Sequence, residues 1–348
     1  MQAAFRAGGE KGRQVVLLLP GQGSQYAQMG TGLYGHEPRF SRSMDEVFAA
    51  MGAAGIRLRA DWMTTGKPLL GIDDVRRSQP LLFAIDYALG RMVLDWGVTP
   101  VTLLGHSVGE LSAAVLAGIM PLAGAAQIIV ARAERLAHAP VGGMLAVAAA
   151  PEAVGPFLAP GVVIGAVNGP AQTVLAGLDE PLLAAERWLR DAGFACRRAR
   201  SRTPFHSPVL DDAVRDTVGD VAAVPLRVPR IPVVSGYTAE PIRPEQATSP
   251  LFWAAQPSRT VHFADALSLV LGLGNLLLIE AGPGQGLSAL ALRHPEFARS
   301  GSRVVALLPD RQRSQEAERR RLADAMAALD AEGYRIPAPS HDVTPAAG

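Results

Sequence analysis

The chain has 348 residues, 49% of them hydrophobic and 19% charged, enough to bury the core of one large domain or of a domain carrying an inserted subdomain. A formal net charge of +1 gives no electrostatic case for nucleic acid or an anionic membrane, and no apolar run approaches the roughly 18 uninterrupted residues of a membrane-spanning helix. The single cysteine, Cys196, excludes an internal disulfide, fits a reducing cytoplasm and reads as a small apolar strand residue.

Residues 1–14 are polar and glycine-rich, lack the apolar stretch of a signal peptide, and read as a disordered lead. The apolar run 15–19 predicts a buried strand, stopped by Pro20-Gly21-Gln22-Gly23-Ser24. Helices are expected over 38–53 and 78–96, a strand over 101–104, and further helices to about residue 137. Short apolar strands alternating with helices predict a parallel sheet covered on both faces, an α/β-hydrolase-like domain formed by residues 15–141 and 205–335. Between 142 and 204 the order changes. Strands at 144–149, 162–167, 173–176 and 194–199 with helices at 151–158 and 179–192 spell β-α-β-β-α-β, a ferredoxin-like subdomain. The main domain then resumes, with strands at 231–235 and 276–280, and residues 336–348 read as a flexible tail.

Gly105-His106-Ser107-Val108-Gly109 lies between the strand at 101–104 and a good helix former, the context that a nucleophile elbow requires. A glycine-rich turn there lets backbone segments pass closely, exposes Ser107 Oγ, and aims free helix N–H groups at an anion forming on a substrate. A serine nucleophile needs a base, and seven histidines compete. His36, His138, His294 and His341 read as solvated surface, and His262 as a satisfied histidine. His106 adjoins the nucleophile, but the residue before the serine usually points away from it. That leaves His206, where the chain re-enters the main domain.

Six segments occur in one order: Pro20-Gly21-Gln22-Gly23-Ser24-Gln25, the elbow, Gly143-Met144-Leu145-Ala146-Val147, Asn168-Gly169-Pro170, Phe205-His206-Ser207 and Glu280-Ala281-Gly282-Pro283-Gly284. Together they resemble the malonyl-CoA:acyl carrier protein transacylases and the acyltransferase domains of polyketide synthases. The resemblance covers roughly residues 14 to 325. It implies Ser107 as nucleophile and His206 as general base, the latter oriented by a backbone carbonyl whose matching position is Gln256. It implies an oxyanion hole formed by the backbone N–H groups of Gln22 and Val108. Arg132 matches the arginine that clamps the free carboxylate of a malonyl-type acyl group, a pairing that suits a planar guanidinium. Its other reading is a solvated helix arginine paired with Glu134 or Asp95.

Phe205 and His106 are expected at the acyl pocket, and in the polyketide branch a Phe before the base goes with malonyl units. This chain departs from the common pattern in Thr203-Pro204-Phe205-His206 and in Arg259-Thr260, where the family usually has an Asn-Pro or Ser-Pro pair. The implied activity is ping-pong transfer of a malonyl-type group from coenzyme A to the phosphopantetheine thiol of an acyl carrier protein, in fatty acid or polyketide biosynthesis. No metal or bound cofactor is expected, nor a nucleic-acid or membrane partner, and a monomer is expected. The alternatives are an editing hydrolase that clears carrier proteins, or a discrete acyltransferase shuttling another acyl group. An ordinary esterase would want an acid between serine and histidine, and a catalytically inactive docking module would not fill every chemical position.

Overall fold

The computed structural model describes residues 12–336. The N-terminal unit runs β1 (Gln14–Leu19), α1 (Pro38–Ala50), α2 (Ala53–Met63), α3 (Val75–Asp95), β2 (Thr102–Gly105), α4 (Gly109–Leu116) and α5 (Leu122–Ala137). Next come β3 (Gly142–Val147), α6 (Pro151–Val154), β4 (Val163–Gly169), β5 (Gln172–Leu178), α7 (Asp179–Asp191) and β6 (Cys196–Arg198). The chain continues through α8 (Asp211–Ala222), β7 (Val233–Val234), α9 (Pro244–Ala247), α10 (Pro250–Ala254) and α11 (Phe263–Leu271). It closes with β8 (Leu276–Glu280), α12 (Gly286–Arg293), α13 (Pro295–Ser300), β9 (Arg303–Ala306) and α14 (Gln315–Ala331).

The larger sheet is parallel throughout, in the order β7-β2-β1-β8-β9. β1 sits at its centre, which is why its sequence is a continuous apolar run. Val15, Leu17 and Leu19 face one core, shared with α1, α3 and α5. Val16 and Leu18 face a second, built from Phe263 and Leu267 of α11 and Leu287 of α12. Leu19 aligns with Gly105, and Leu18 with Glu280, so the loops after β1, β2 and β8 emerge together. A cleft at the carboxyl ends of such strands is where open α/β sheets bind ligands.

The smaller sheet is antiparallel, order β4-β5-β3-β6, with Leu182, Ala185 and Leu189 of α7 packed on Leu145 and Leu175. This is the ferredoxin-like unit on an α/β scaffold. Its edge strand β4 also grips the larger unit: Val167 N–H donates to Val261 O (2.8 Å) and Val261 N–H to Gly165 O (2.9 Å). That grip positions the base, as described below.

Several local expectations need correction. The helix expected over 38–53 ends at Ala50, because Gly52 turns the chain at φ 60°, a left-handed conformation that glycine adopts freely, before α2 begins. The lead is shorter than expected: Gln14 already belongs to β1, and Arg13 pairs with Glu332 at 2.6 Å. Residues 1–11 and 337–348, including the rest of that lead, almost all of the tail and His341, lie outside the described residues. His294 is buried rather than solvated, its Nδ1 accepting Glu296 N–H (3.2 Å) at the start of α13. Among the described residues no helix is long and apolar enough to cross a membrane.

Candidate active site

Ser107 sits on the turn between β2 and α4 at φ 54°, a left-handed conformation that costs a non-glycine residue energy and is held by its surroundings. The two glycines of the elbow are required by close approach. A Cβ on Gly105 would strike the backbone of Glu110, and one on Gly109 the carbonyl oxygens of Leu19 and Pro20. The turn after β1 abuts the same point, since a Cβ on Gly21 would lie 3.1 Å from that of Ser107. Gln22 fixes that turn to α3: its side chain bonds Ser78 Oγ (3.0 Å) and accepts from Gln79 Nε2 (2.9 Å). Among the described residues, the backbone N–H groups of Gln22 and Val108 donate no backbone hydrogen bond in their turns. They are donors available to an oxyanion.

His206 Nε2 lies 2.9 Å from Ser107 Oγ. Its Nδ1 lies 2.9 Å from the carbonyl oxygen of Arg259, an acceptor, so Nδ1 carries the proton and Nε2 presents a lone pair to the serine. Burial, with smaller contributions from His106 and the positive charge of Arg132, pushes the imidazole pKa down to about 3. The ring is therefore neutral at neutral pH. Its backbone, at φ 62°, is anchored by His206 N–H donating to Pro257 O at 2.6 Å.

The orienting carbonyl was expected at Gln256 and is that of Arg259. Gln256 opens a 3₁₀ turn, Gln256–Ser258, and its carbonyl accepts from Arg259 N–H (3.3 Å), leaving it a lesser influence on the imidazole. Arg259 is extended (φ −100°, ψ 142°), and Thr260 and Val261 beyond it bond to β4 through Ile164 O and Gly165 O. The small sheet thus sets where the Arg259 carbonyl lies. Gln256 keeps a place at the site through its side chain, which donates to Glu110 (3.2 Å).

Beside Ser107 is a narrow cavity lined by Val108, Arg132, Phe205, Tyr237 and Gln256, with Gln79 and Pro257 completing the wall. Arg132 is 4% exposed, its Nε has no hydrogen-bond partner, and among the described residues it forms no ion pair. Asp95 pairs instead with Arg91, so the solvated-helix reading fails. Burial pushes the Arg132 pKa down to about 10, leaving it charged at neutral pH. A buried cation without an anion is a site for one. Phe205 lines the cavity. His106 does not: it points away from Ser107, places Nε2 2.8 Å from Asn168 Oδ1, and packs on Phe263 with ring centroids 5.1 Å apart. Successive side chains of a tight turn diverge, so only one of the pair can face the cleft.

The sequence reading missed Glu110, Tyr237 and Arg259. Glu110 is fully buried in the first turn of α4 and accepts from Ser235 Oγ (2.8 Å), Gly236 N–H (2.9 Å) and Gln256 Nε2 (3.2 Å). Burial pushes its pKa up to about 8, so it adds little negative charge to compete for Arg132. A charged residue in an otherwise apolar helix face, Leu111-Ser112-Ala113-Ala114, was the available signal. Among the described residues no group of three or more His, Cys, Asp or Glu could hold a metal ion.

The chain matches the acyl transferase domain family over residues 16–335. It is 37% identical over 297 residues to a large phenolphthiocerol/phthiocerol polyketide synthase polypeptide of Mycobacterium tuberculosis, covering 85% of this chain and 20% of that protein. The chain thus spans about a fifth of the length of that synthase polypeptide. Among solved structures, the acyl transferase domain of SpnD in complex with 2-(pent-4-yn-1-yl)malonyl superposes with TM-score 0.87 at 32% identity, over 94% of this chain and 79% of that one. FabD of Acinetobacter baumannii shares the fold at TM-score 0.79 and 23% identity, over 92% and 99% of the two chains. The chain belongs to the acyl transferase domain family and is an acyltransferase similar to the acyl transferase domains of polyketide synthases.

Proposed function

We propose that the protein transfers a malonyl-type acyl group from coenzyme A to the phosphopantetheine thiol of an acyl carrier protein. The observation that carries this reading is Arg132, a buried guanidinium with no counter-ion among the described residues, in the same cavity as Ser107. A dicarboxylic acyl group supplies the missing anion, and anchoring its far end brings the thioester carbonyl to the serine.

His206 Nε2 takes the Ser107 proton as Oγ attacks the thioester carbonyl carbon. The resulting oxyanion is held by the N–H groups of Gln22 and Val108. Collapse of the tetrahedral intermediate breaks the carbon–sulfur bond. The coenzyme A thiolate takes the proton from His206, leaving a malonyl ester on Ser107. In the second half-reaction His206 deprotonates the carrier thiol, which attacks the ester, and the proton returns to Ser107 Oγ. The neutral imidazole is ready for both halves without prior deprotonation. Arg132 favours dicarboxylic over monocarboxylic groups, which sets this reading above removal of stalled acetyl or propionyl units.

The test is to mix the protein with a phosphopantetheinylated carrier protein and one acyl-CoA at a time, and to weigh the carrier. Malonyl transfer well above acetyl transfer supports the reading. Release of free malonate with no carrier acylation would make water the acceptor and the protein a hydrolase.

A further inference from the structure

Tyr237 has a place in this site that neither the elbow nor the base accounts for. Its ring centroid lies 6.0 Å from that of His206, and it lines the same cavity as Ser107 and Arg132. Of the eight residues lining the cavity, seven are buried and Tyr237 alone is partly accessible, so it forms the wall nearest solvent.

The phenol is not on a loose loop. It belongs to a tight turn after β7 in which Ser235 N–H donates to Glu240 O (2.9 Å) and Ala239 N–H to Ser235 O (2.9 Å). Glu110 pins the start of that turn by accepting from Ser235 Oγ and Gly236 N–H, and Tyr237 N–H donates to Ser235 Oγ at 3.1 Å. The wall is therefore tied to the helix that carries the nucleophile.

A malonyl group is fixed at two points, its thioester carbon at Ser107 and its carboxylate at Arg132. One carbon, C2, lies between them. Phe205 and Tyr237 are the two aromatic rings in the cavity wall, the bulkiest obstacles to a branch on C2. Phe205 cannot yield, being 3% exposed and packed with Val75, Leu136 and Leu210. Of the two, the Tyr237 ring is then the one whose volume a branch can take. Resting on the dicarboxylate reading above, we infer that Tyr237 determines acyl specificity, holding the pocket to unbranched malonyl and excluding C2-alkylated dicarboxylic groups.

The experiment is competitive acylation of Ser107 from equimolar malonyl-, methylmalonyl- and ethylmalonyl-CoA, read by intact mass, in wild type, Tyr237→Phe, Tyr237→Val and Phe205→Val. Wild type and Tyr237→Phe, which keeps the ring, should load malonyl in large excess. Tyr237→Val should raise the branched-to-malonyl ratio roughly ten-fold or more, the discrimination that a methylene-sized difference in a pocket supplies. Tyr237→Leu serves the same comparison if the valine variant does not fold. An unchanged ratio in the folded valine or leucine variant overturns the inference, as does widening by Phe205→Val alone. If no dicarboxylic acyl group loads on wild type or any variant while acetyl does, the dicarboxylate reading has failed and this inference falls with it.

Discussion

Replacing Arg132 with alanine separates the substrate-selecting role of this residue from a structural one. The guanidinium is 4% exposed and burial pushes its pKa down from the ordinary arginine value to about 10, a displacement worth on the order of 3 kcal/mol against the charged form. A substrate carboxylate relieves that penalty and adds charge-assisted hydrogen bonds, each worth ~1.5–3 kcal/mol. Losing the contact should therefore lower kcat/KM for malonyl-CoA by roughly 10- to 150-fold. Acetyl-CoA carries nothing for the guanidinium to hold, so its kcat/KM should be unchanged or should rise. The assay is a pair of kcat/KM values for the two thioesters, in wild type and Arg132→Ala, with thermal unfolding of both proteins as a control. Equal losses for the two substrates, or a wild type that prefers acetyl-CoA, would refute the reasoning.

The pH dependence of acylation follows from the buried imidazole. A base whose folded-state pKa is pushed down to about 3 stays in its neutral, proton-accepting form as the pH falls through the usual histidine range. With malonyl-N-acetylcysteamine, which has no phosphate to titrate, kcat/KM should stay flat from about pH 8 to about pH 5; an acid limb near pH 6.5 would contradict the neutral, desolvated base. Glu110→Ala strands the donors of Ser235, Gly236 and Gln256 in a buried site, and should destabilise the fold by ~3 kcal/mol or more, measured by urea unfolding. A midpoint within error of wild type would mean that the three donors find other acceptors. Gly109→Ala drives a methyl group into the carbonyl oxygens of Leu19 and Pro20 and should cost ~1–3 kcal/mol while displacing Ser107. Wild-type acylation in that variant would show that the elbow does not need the close approach.

The parallel sheet and the inserted subdomain were legible because each rests on local pattern. The run Val15-Val16-Leu17-Leu18-Leu19 can satisfy a buried central strand and little else, and the β-α-β-β-α-β order is spelled out by alternation between Gly142 and Arg198. Ser107, His206, Phe205 and Arg132 could be singled out because the first three lie within short motifs and the fourth on a helix whose spacing from the elbow the resemblance carries. What was misplaced depends on contacts distant in the chain. The Arg259 carbonyl reaches His206 because β4 bonds Thr260 and Val261, and no local signal in Gln256-Pro257-Ser258-Arg259 announces a partner nearly a hundred residues away. Tyr237 escaped for the same reason: its turn reads as an ordinary surface connection, and only the long-range bonds to Glu110 bring it to the nucleophile. His106 was expected at the acyl pocket, whereas the turn sends it to Asn168.

The central claim is that the acyl group passes through Ser107, and the identity and location of the covalent intermediate test it most directly. The protein is incubated with malonyl-CoA without carrier protein, quenched in acid, weighed intact and then digested for peptide mapping. The account predicts a mass gain of one malonyl group, confined to the peptide that contains Ser107 and discharged when a phosphopantetheinylated carrier protein is added before the quench. Ser107→Ala should show no gain. A Ser107→Ala variant that labels as fully as wild type, or an adduct on any other residue, would contradict the account.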